Sequence, residues 1–95
     1  MNQRISNLRN KMKAQNLKAV LINNLKNVYY LTNFWGSNGT ALVTEERVVL
    51  FTDSRYTIHA HATCFHFVEI VETRDELTAA AEIVKDLGIK ELGFE

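Results

Sequence analysis

Apolar residues fall into short blocks along this chain, and the blocks have two different periods. Ile5, Leu8 and Met12 recur at helical spacing among Arg, Lys and Asn, which predicts an amphipathic helix over about residues 3–15 with Asn16 as its C-terminal cap. Lys18–Ile22 (KAVLI) is short, apolar and partly β-branched and reads as a buried strand. Residues 23–33 are ambiguous: Val28, Tyr29, Tyr30 and Leu31 fit a short helical turn or an extended segment. Thr40–Thr44 and Arg47–Thr52 are β-rich runs on either side of Glu45-Glu46 and predict a hairpin. Glu-Glu lacks the positive-φ residues of the tightest turns, so a loop longer than two residues is expected.

Asp53 or Ser54 is placed to cap a helix running to about Ala62, and Phe65–Val71 (FHFVEIV) reads as a further strand. Thr73-Arg-Asp-Glu76 fits a capping box, with Thr73 as cap and Glu76 reaching back. The helix it opens has Leu77, Ala80, Ala81, Val84 and Leu87 as its apolar face and stops at Gly88. Glu91–Phe94 (ELGF) reads as a final strand. The order α-β-(turn)-β-β-α-β-α-β predicts an α/β sandwich: a mixed β-sheet with flanking helices, one antiparallel hairpin, and helical crossovers elsewhere. No repeat, linker or low-complexity tract interrupts it. A length of 95 residues fits one domain of modest stability. A last strand with nothing after it leads to the expectation that the domain is truncated and that the chain is an excerpt of something longer.

Composition narrows the function classes. A hydrophobic fraction of 46% suits a globular chain. No apolar run approaches the roughly 20 residues needed to cross a bilayer, and MNQRISNLRNKMK has no apolar segment of the kind a secretory signal needs. Eleven basic residues balance eleven acidic ones, which removes the electrostatic case for nucleic acid. Cys64 is the only cysteine, so no internal disulfide forms, and a cytoplasmic setting is the simplest expectation. Neither a membrane nor a nucleic acid is an expected partner.

Candidate chemistry is sparse. His59, His61, Cys64 and His66 invite a metal-site reading, but on a helix His59 and His61 point roughly 200° apart. Gly36-x-x-Gly39-Thr40 has the look of a phosphate loop, yet it leads into a strand and not into a helix N-terminus; a tight turn opening a hairpin is the better reading. Thr52-Asp53-Ser54-Arg55-Tyr56 lies where a strand becomes a helix. Either Asp53 or Ser54 caps that helix, or Arg55 holds an anionic partner at the strand end, in this chain or another. No nucleophile or acid–base set is visible, and as an isolated polypeptide the chain is expected to be inactive. The stretch TNFWGSNGT, residues 32–40, is unusual for a loop because it sets Phe34 and Trp35 directly against turn-forming residues.

An ordered series of segments resembles one family. Arg4–Arg9 with Met12, Ala19–Ile22, Asn27–Phe34, Gly36–Thr44 and Leu50–Tyr56 follow its pattern in order. Tyr-Leu-Thr-x-Phe, Gly-Ser-x-Gly-Thr and Thr-Asp-Ser-Arg-Tyr at these spacings carry the likeness. The resemblance is to the N-terminal, creatinase-like domain of proline-specific metallopeptidases, the Xaa-Pro aminopeptidases and Xaa-Pro dipeptidases (prolidases). It is clear over residues 4–60 and extends over nearly the whole chain. It implies a ribonuclease-H-like creatinase N-terminal fold.

It also implies a second, catalytic domain of pita-bread fold, absent here, in which two divalent metal ions, commonly manganese, activate water to cleave the bond before proline. None of those ligands is assignable in this chain: Asp53, Asp75 and Asp86 lie in the wrong domain and lack the pattern. The resemblance further implies a homodimer through this domain. A loop of one subunit would lie near the partner's active-site mouth and limit peptide length. Residues 33–40 match that loop, which makes Phe34, Trp35, Ser37, Asn38 and Arg55 the substrate-gating candidates. Two positions depart from the pattern: Asn33 stands where many relatives have glycine, and Trp35 where a smaller or acidic residue is common. The competing readings are the N-terminal domain of a creatinase-type hydrolase or non-peptidase relative, and a free-standing α/β interaction module.

Overall fold

Ile5 and Met12 bury one stripe of the first helix, α1 (Gln3–Ala14), in the computed structural model, which describes residues 3–94. The helix stops where Asn16 takes a left-handed conformation (φ 57°), which asparagine tolerates better than most side chains. The Leu17 amide then donates to the Met12 carbonyl (2.8 Å) and the Asn16 amide to that of Lys13 (3.0 Å), closing a Schellman motif.

Strand β1 (Ala19–Ile22) follows, buried at every position. The ambiguous segment is a helix, α2 (Leu25–Thr32). The Asn24 side chain accepts from the Lys26 and Asn27 amides, at 3.0 and 3.3 Å, and supplies the cap that overrides the β-leaning Val-Tyr-Tyr run. Asn33, again left-handed at φ 67°, ends it.

Strands β2 (Thr40–Thr44) and β3 (Val48–Thr52) form the expected hairpin, with three residues between them. The Thr44 amide donates to the Arg47 carbonyl at 2.9 Å and the Thr44 hydroxyl accepts the Arg47 amide at 2.9 Å, so a side chain completes the turn. The Thr44 carbonyl instead accepts from the Arg9 guanidinium at 2.9 Å, tying α1 to the hairpin.

Further elements are α3 (Thr57–Thr63), β4 (Glu69–Glu72), α4 (Glu76–Asp86) and β5 (Gly93–Phe94). The sheet order is β4-β3-β2-β1-β5. β4 runs parallel to β3 and β5 parallel to β1, whereas both β1–β2 and β2–β3 are antiparallel. There are thus two antiparallel pairs where one was expected, because α2 returns the chain beside β1 in the opposite direction. Leu21, Leu42 and Val49 lie in one row across the three central strands.

One sheet face (Val20, Ile22, Ala41, Val43, Val48, Leu50) is covered by α1, α2 and α3 through Ile5, Met12, Val28, Leu31 and Ala60. The other (Ala19, Leu21, Leu42, Val49, Phe51) is covered by α4 through Ala80, Ile83 and Val84. Burial on both faces explains why these strands read as continuous apolar runs.

Several assignments differ from expectation, among them the last strand, which starts at Gly93 and not Glu91. α3 starts at Thr57, because Asp53 spends its carboxylate on a turn before the helix. β4 starts at Glu69, because the Phe65 amide is taken by the Thr32 carbonyl and the Val68 amide closes a turn on Phe65. The cap of α4 is Asp75, which accepts from the Thr78 amide at 3.1 Å, while Glu76 accepts from the Thr40 hydroxyl (2.5 Å) and does not close a box with Thr73. The inner face of α4 runs through Ala79, Ala80, Ile83 and Val84, leaving Leu77, Ala81 and Leu87 exposed. Gly88 ends α4 as expected, with φ 71° and the Ile89 amide bonded to the Val84 carbonyl at 3.1 Å.

Candidate functional site

Residues 33–40 leave the end of α2 and enter β2, crossing the sheet end where β3 gives way to α3. Thr32 sets the path. Its buried hydroxyl donates to the Val28 carbonyl (2.6 Å) and accepts the Phe34 amide (3.0 Å), which turns Phe34 inward. The Asn33 side-chain amide donates to the Thr63 carbonyl at 2.8 Å and joins the ends of α2 and α3.

The two aromatic neighbours then part. Phe34 is 1% exposed and Trp35 is 62% exposed. Phe34 meets Tyr56 edge-on, with centroids 6.0 Å apart at 87°, and His59 at 5.9 Å and 62°. Such ring pairs contribute about 0.5–1.5 kcal/mol each beyond their buried area. Gly36 and Gly39 fold over this ring. A Cβ on either would stand 2.8 Å from a Phe34 ring carbon. Neither has a positive φ. Their smallness serves close approach, so the turn-former reading holds for a reason other than backbone freedom.

Trp35 lies on the outside of the same loop. Its indole meets the His59 imidazole edge-on at 4.3 Å and 79°, and its main-chain carbonyl accepts from His59 Nε2 at 2.8 Å. Ser37 Oγ hydrogen-bonds the Tyr56 hydroxyl. The Asn38 side-chain amide donates to Asp53 Oδ2 (2.8 Å), and the Asn38 carbonyl accepts from the Thr52 hydroxyl (2.7 Å).

Arg55 grips Asp53 two residues back. Nε donates to Oδ1 at 3.0 Å, a terminal nitrogen to Oδ2 at 2.8 Å, and the Arg55 amide to Oδ1 at 2.9 Å. The Asp53 carboxyl is held well below the usual carboxylate range, first by Arg55 and then by Asn38. Arg55 is raised in turn by Asp53. The anionic partner considered for Arg55 is therefore in this chain. Its guanidinium also lies 5.2 Å from the Tyr56 ring centre, with the side chain 68% exposed.

The structure brings Phe34, Ser37, Asn38 and Arg55 together on the Asp53–Tyr56 turn, and it seats Trp35 on His59. Phe34 is a core residue, whereas Trp35, Ser37 and Arg55 are exposed. Asp53, Tyr56 and His59 were absent from the substrate-gating candidates. The Thr-Asp-Ser-Arg-Tyr series marked two of them, and His59 follows Tyr56 at helical spacing.

The remaining histidine–cysteine cluster does not converge. His59 serves Trp35, and burial pushes the Cys64 thiol up to about 11. Among the described residues no group of three or more His, Cys, Asp or Glu side chains is arranged to hold a metal ion. The described residues offer no set of ligands for a two-metal centre, and no hydrolytic step is assigned to them.

Residues 4–95 match the Creatinase/Prolidase N-terminal domain family. The chain is 37% identical over 93 residues to the Bacillus subtilis (strain 168) protein described as uncharacterized peptidase YqhT, covering 97% of this chain and 26% of that protein. It thus spans about a quarter of that relative's length. Among solved structures, an aminopeptidase described as Xaa-Pro from Streptococcus pyogenes superposes with a TM-score of 0.91 at 42% identity, covering 97% of this chain and 70% of that one. The N-terminal domain of the cytoplasmic peptidase PepQ from Mycobacterium tuberculosis H37Rv superposes with a TM-score of 0.93 at 37% identity, over 100% and 74% of the respective chains.

Proposed function

The chain belongs to the Creatinase/Prolidase N-terminal domain family, and from that premise we propose that it is the non-catalytic N-terminal domain of a proline-specific metallopeptidase. In this reading it contributes to a homodimer and gates the partner subunit's active site against long substrates. Those substrates are peptides with proline at the second position. The two divalent metal ions, manganese by resemblance, belong to a catalytic domain outside this chain. A cytoplasmic setting accords with a neighbour named as a cytoplasmic peptidase. Peptidase names among the relatives favour this reading over a creatinase-type hydrolase.

One observation carries the gating role. Trp35 is 62% exposed on a loop whose neighbours are pinned to the Asp53–His59 segment. A large ring displayed from an anchored loop suits contact with something outside the domain better than it suits a lone surface. A rigid obstacle of this kind selects by length because it does not yield to the substrate.

The test is Trp35→Ala in the full-length peptidase. The expected outcome is a shift toward longer peptides, with stability changed by about 0.5–1.5 kcal/mol, the worth of one ring pair. Unchanged length preference with collapsed thermal stability would make Trp35 a structural residue and defeat the gating role.

A further inference from the structure

We infer that His59 is a positioning residue for Trp35, fixing the direction in which the indole projects. The effect on peptide length rests on the gating function proposed above; the positioning itself does not.

An exposed tryptophan ordinarily exchanges rotamers on the picosecond-to-nanosecond scale. Trp35 has two constraints, both from one side chain on a different element. His59 Nε2 donates to the Trp35 carbonyl at 2.8 Å, which fixes the peptide plane from which the side chain departs. A carbonyl only accepts, so Nε2 carries the hydrogen. The imidazole of the same residue stands 4.3 Å from the indole at 79° and forms a wall against it. Gly36, the next residue, has no side chain to offer a second wall.

His59 is itself braced. Its ring meets buried Phe34 at 5.9 Å, and the Thr63 hydroxyl donates to its carbonyl at 2.8 Å. The imidazole thus links the inward ring of the loop to the outward one. Substitution separates the two contacts. Glutamine keeps a donor but has no ring, and phenylalanine keeps a ring but has no donor.

Trp35 is the only tryptophan, so its emission reports this one contact. Time-resolved fluorescence anisotropy of the 95-residue chain is the deciding measurement. The expected result is a dominant slow, whole-molecule component in the wild type that shrinks in His59→Ala and is partly regained in His59→Phe, which restores the ring without the donor, with circular dichroism unchanged. A slow component of undiminished amplitude in His59→Ala overturns the inference, and so does a His59→Phe variant no different from His59→Ala. Should His59→Ala fail to fold, His59→Gln decides: loss of the slow component supports the inference, and its full retention overturns it.

In the full-length peptidase, His59→Ala is expected to shift length preference in the same direction as Trp35→Ala. The double variant should add nothing to Trp35→Ala alone, as for residues acting as one unit. If Trp35→Ala leaves length preference unchanged, the gating function fails while the anisotropy result still decides the positioning.

Discussion

Gly39→Ala isolates the contact that shapes the loop. A Cβ at position 39 would stand 2.8 Å from Phe34 Cε2, 3.2 Å from Cδ2 and 3.6 Å from Leu50 Cδ1. Two opposing terms set the outcome. Because φ at Gly39 is not positive, alanine meets no backbone penalty, and by restricting the unfolded chain it would stabilise by about 0.4–1 kcal/mol. Against this stands the overlap with a ring that cannot swing away, since Phe34 is 1% exposed between Tyr56 and His59. Overpacking of that kind costs about 1–3 kcal/mol, so the clash wins and the variant is destabilised. At about 4–8 °C per kcal/mol for a domain of this size, the loss is readily seen in thermal melts followed by circular dichroism. Phe34→Leu removes Cε2 and Cζ. In that background the same Gly39→Ala change should become neutral or stabilising, a coupling of about 1 kcal/mol or more. Equal costs in both backgrounds would place the penalty in the backbone and refute the reasoning. Stabilisation by Gly39→Ala in the wild type would refute it as well.

Three other outcomes follow from the site. The Asp53 carboxyl is depressed in the folded state, so its contribution is present above the ordinary value of 3.8 and is lost as pH falls below it. Arg55→Met should therefore flatten the acid limb of the stability–pH curve, and an unchanged limb would deny the Asp53–Arg55 pair that role. Burial raises the Cys64 thiol to about 11 from 9.0, leaving on the order of a hundredfold less thiolate near neutral pH. Iodoacetamide should accordingly label native Cys64 far more slowly than the urea-unfolded chain, and equal rates would show the thiol to be open. The 95-residue chain with added manganese should hydrolyse no Xaa-Pro peptide, and metal-dependent turnover would overturn its assignment as non-catalytic.

Where one periodicity dominated, the sequence was a good guide. KAVLI, TALVT and RVVLFT read as strands because both sheet faces are covered, and the N-terminal helix and its Asn16 cap were legible from Ile5, Leu8 and Met12. Side-chain hydrogen bonds between distant residues decided the rest. Thr73 and Glu76 have capping-box spacing, but the Thr73 hydroxyl accepts the Asp75 amide and Glu76 is drawn to Thr40, 36 positions away. Val28-Tyr29-Tyr30 has strand propensity, yet Asn24 nucleates a helix there. At the site, the Thr-Asp-Ser-Arg-Tyr series flagged the correct turn. It could not show that Asp53 is Arg55's own partner, since that needs the geometry of the Arg55 side chain. Nor could adjacent Phe34 and Trp35 be told apart by composition. Their division into inner and outer rings depends on the Thr32 hydroxyl and on His59, from helices that flank the loop on either side.

That division has an evolutionary consequence. The loop owes its shape to the residue that points in, while the residue that points out meets the world beyond the domain. Position 35 can therefore be rewritten at a cost of about one ring contact, while position 34 cannot, since truncating a buried phenylalanine costs about 3–5 kcal/mol. Selection acting on what the loop touches is thus nearly free of selection acting on whether the loop forms. The exposed position can change its chemistry while the buried one holds the loop's shape.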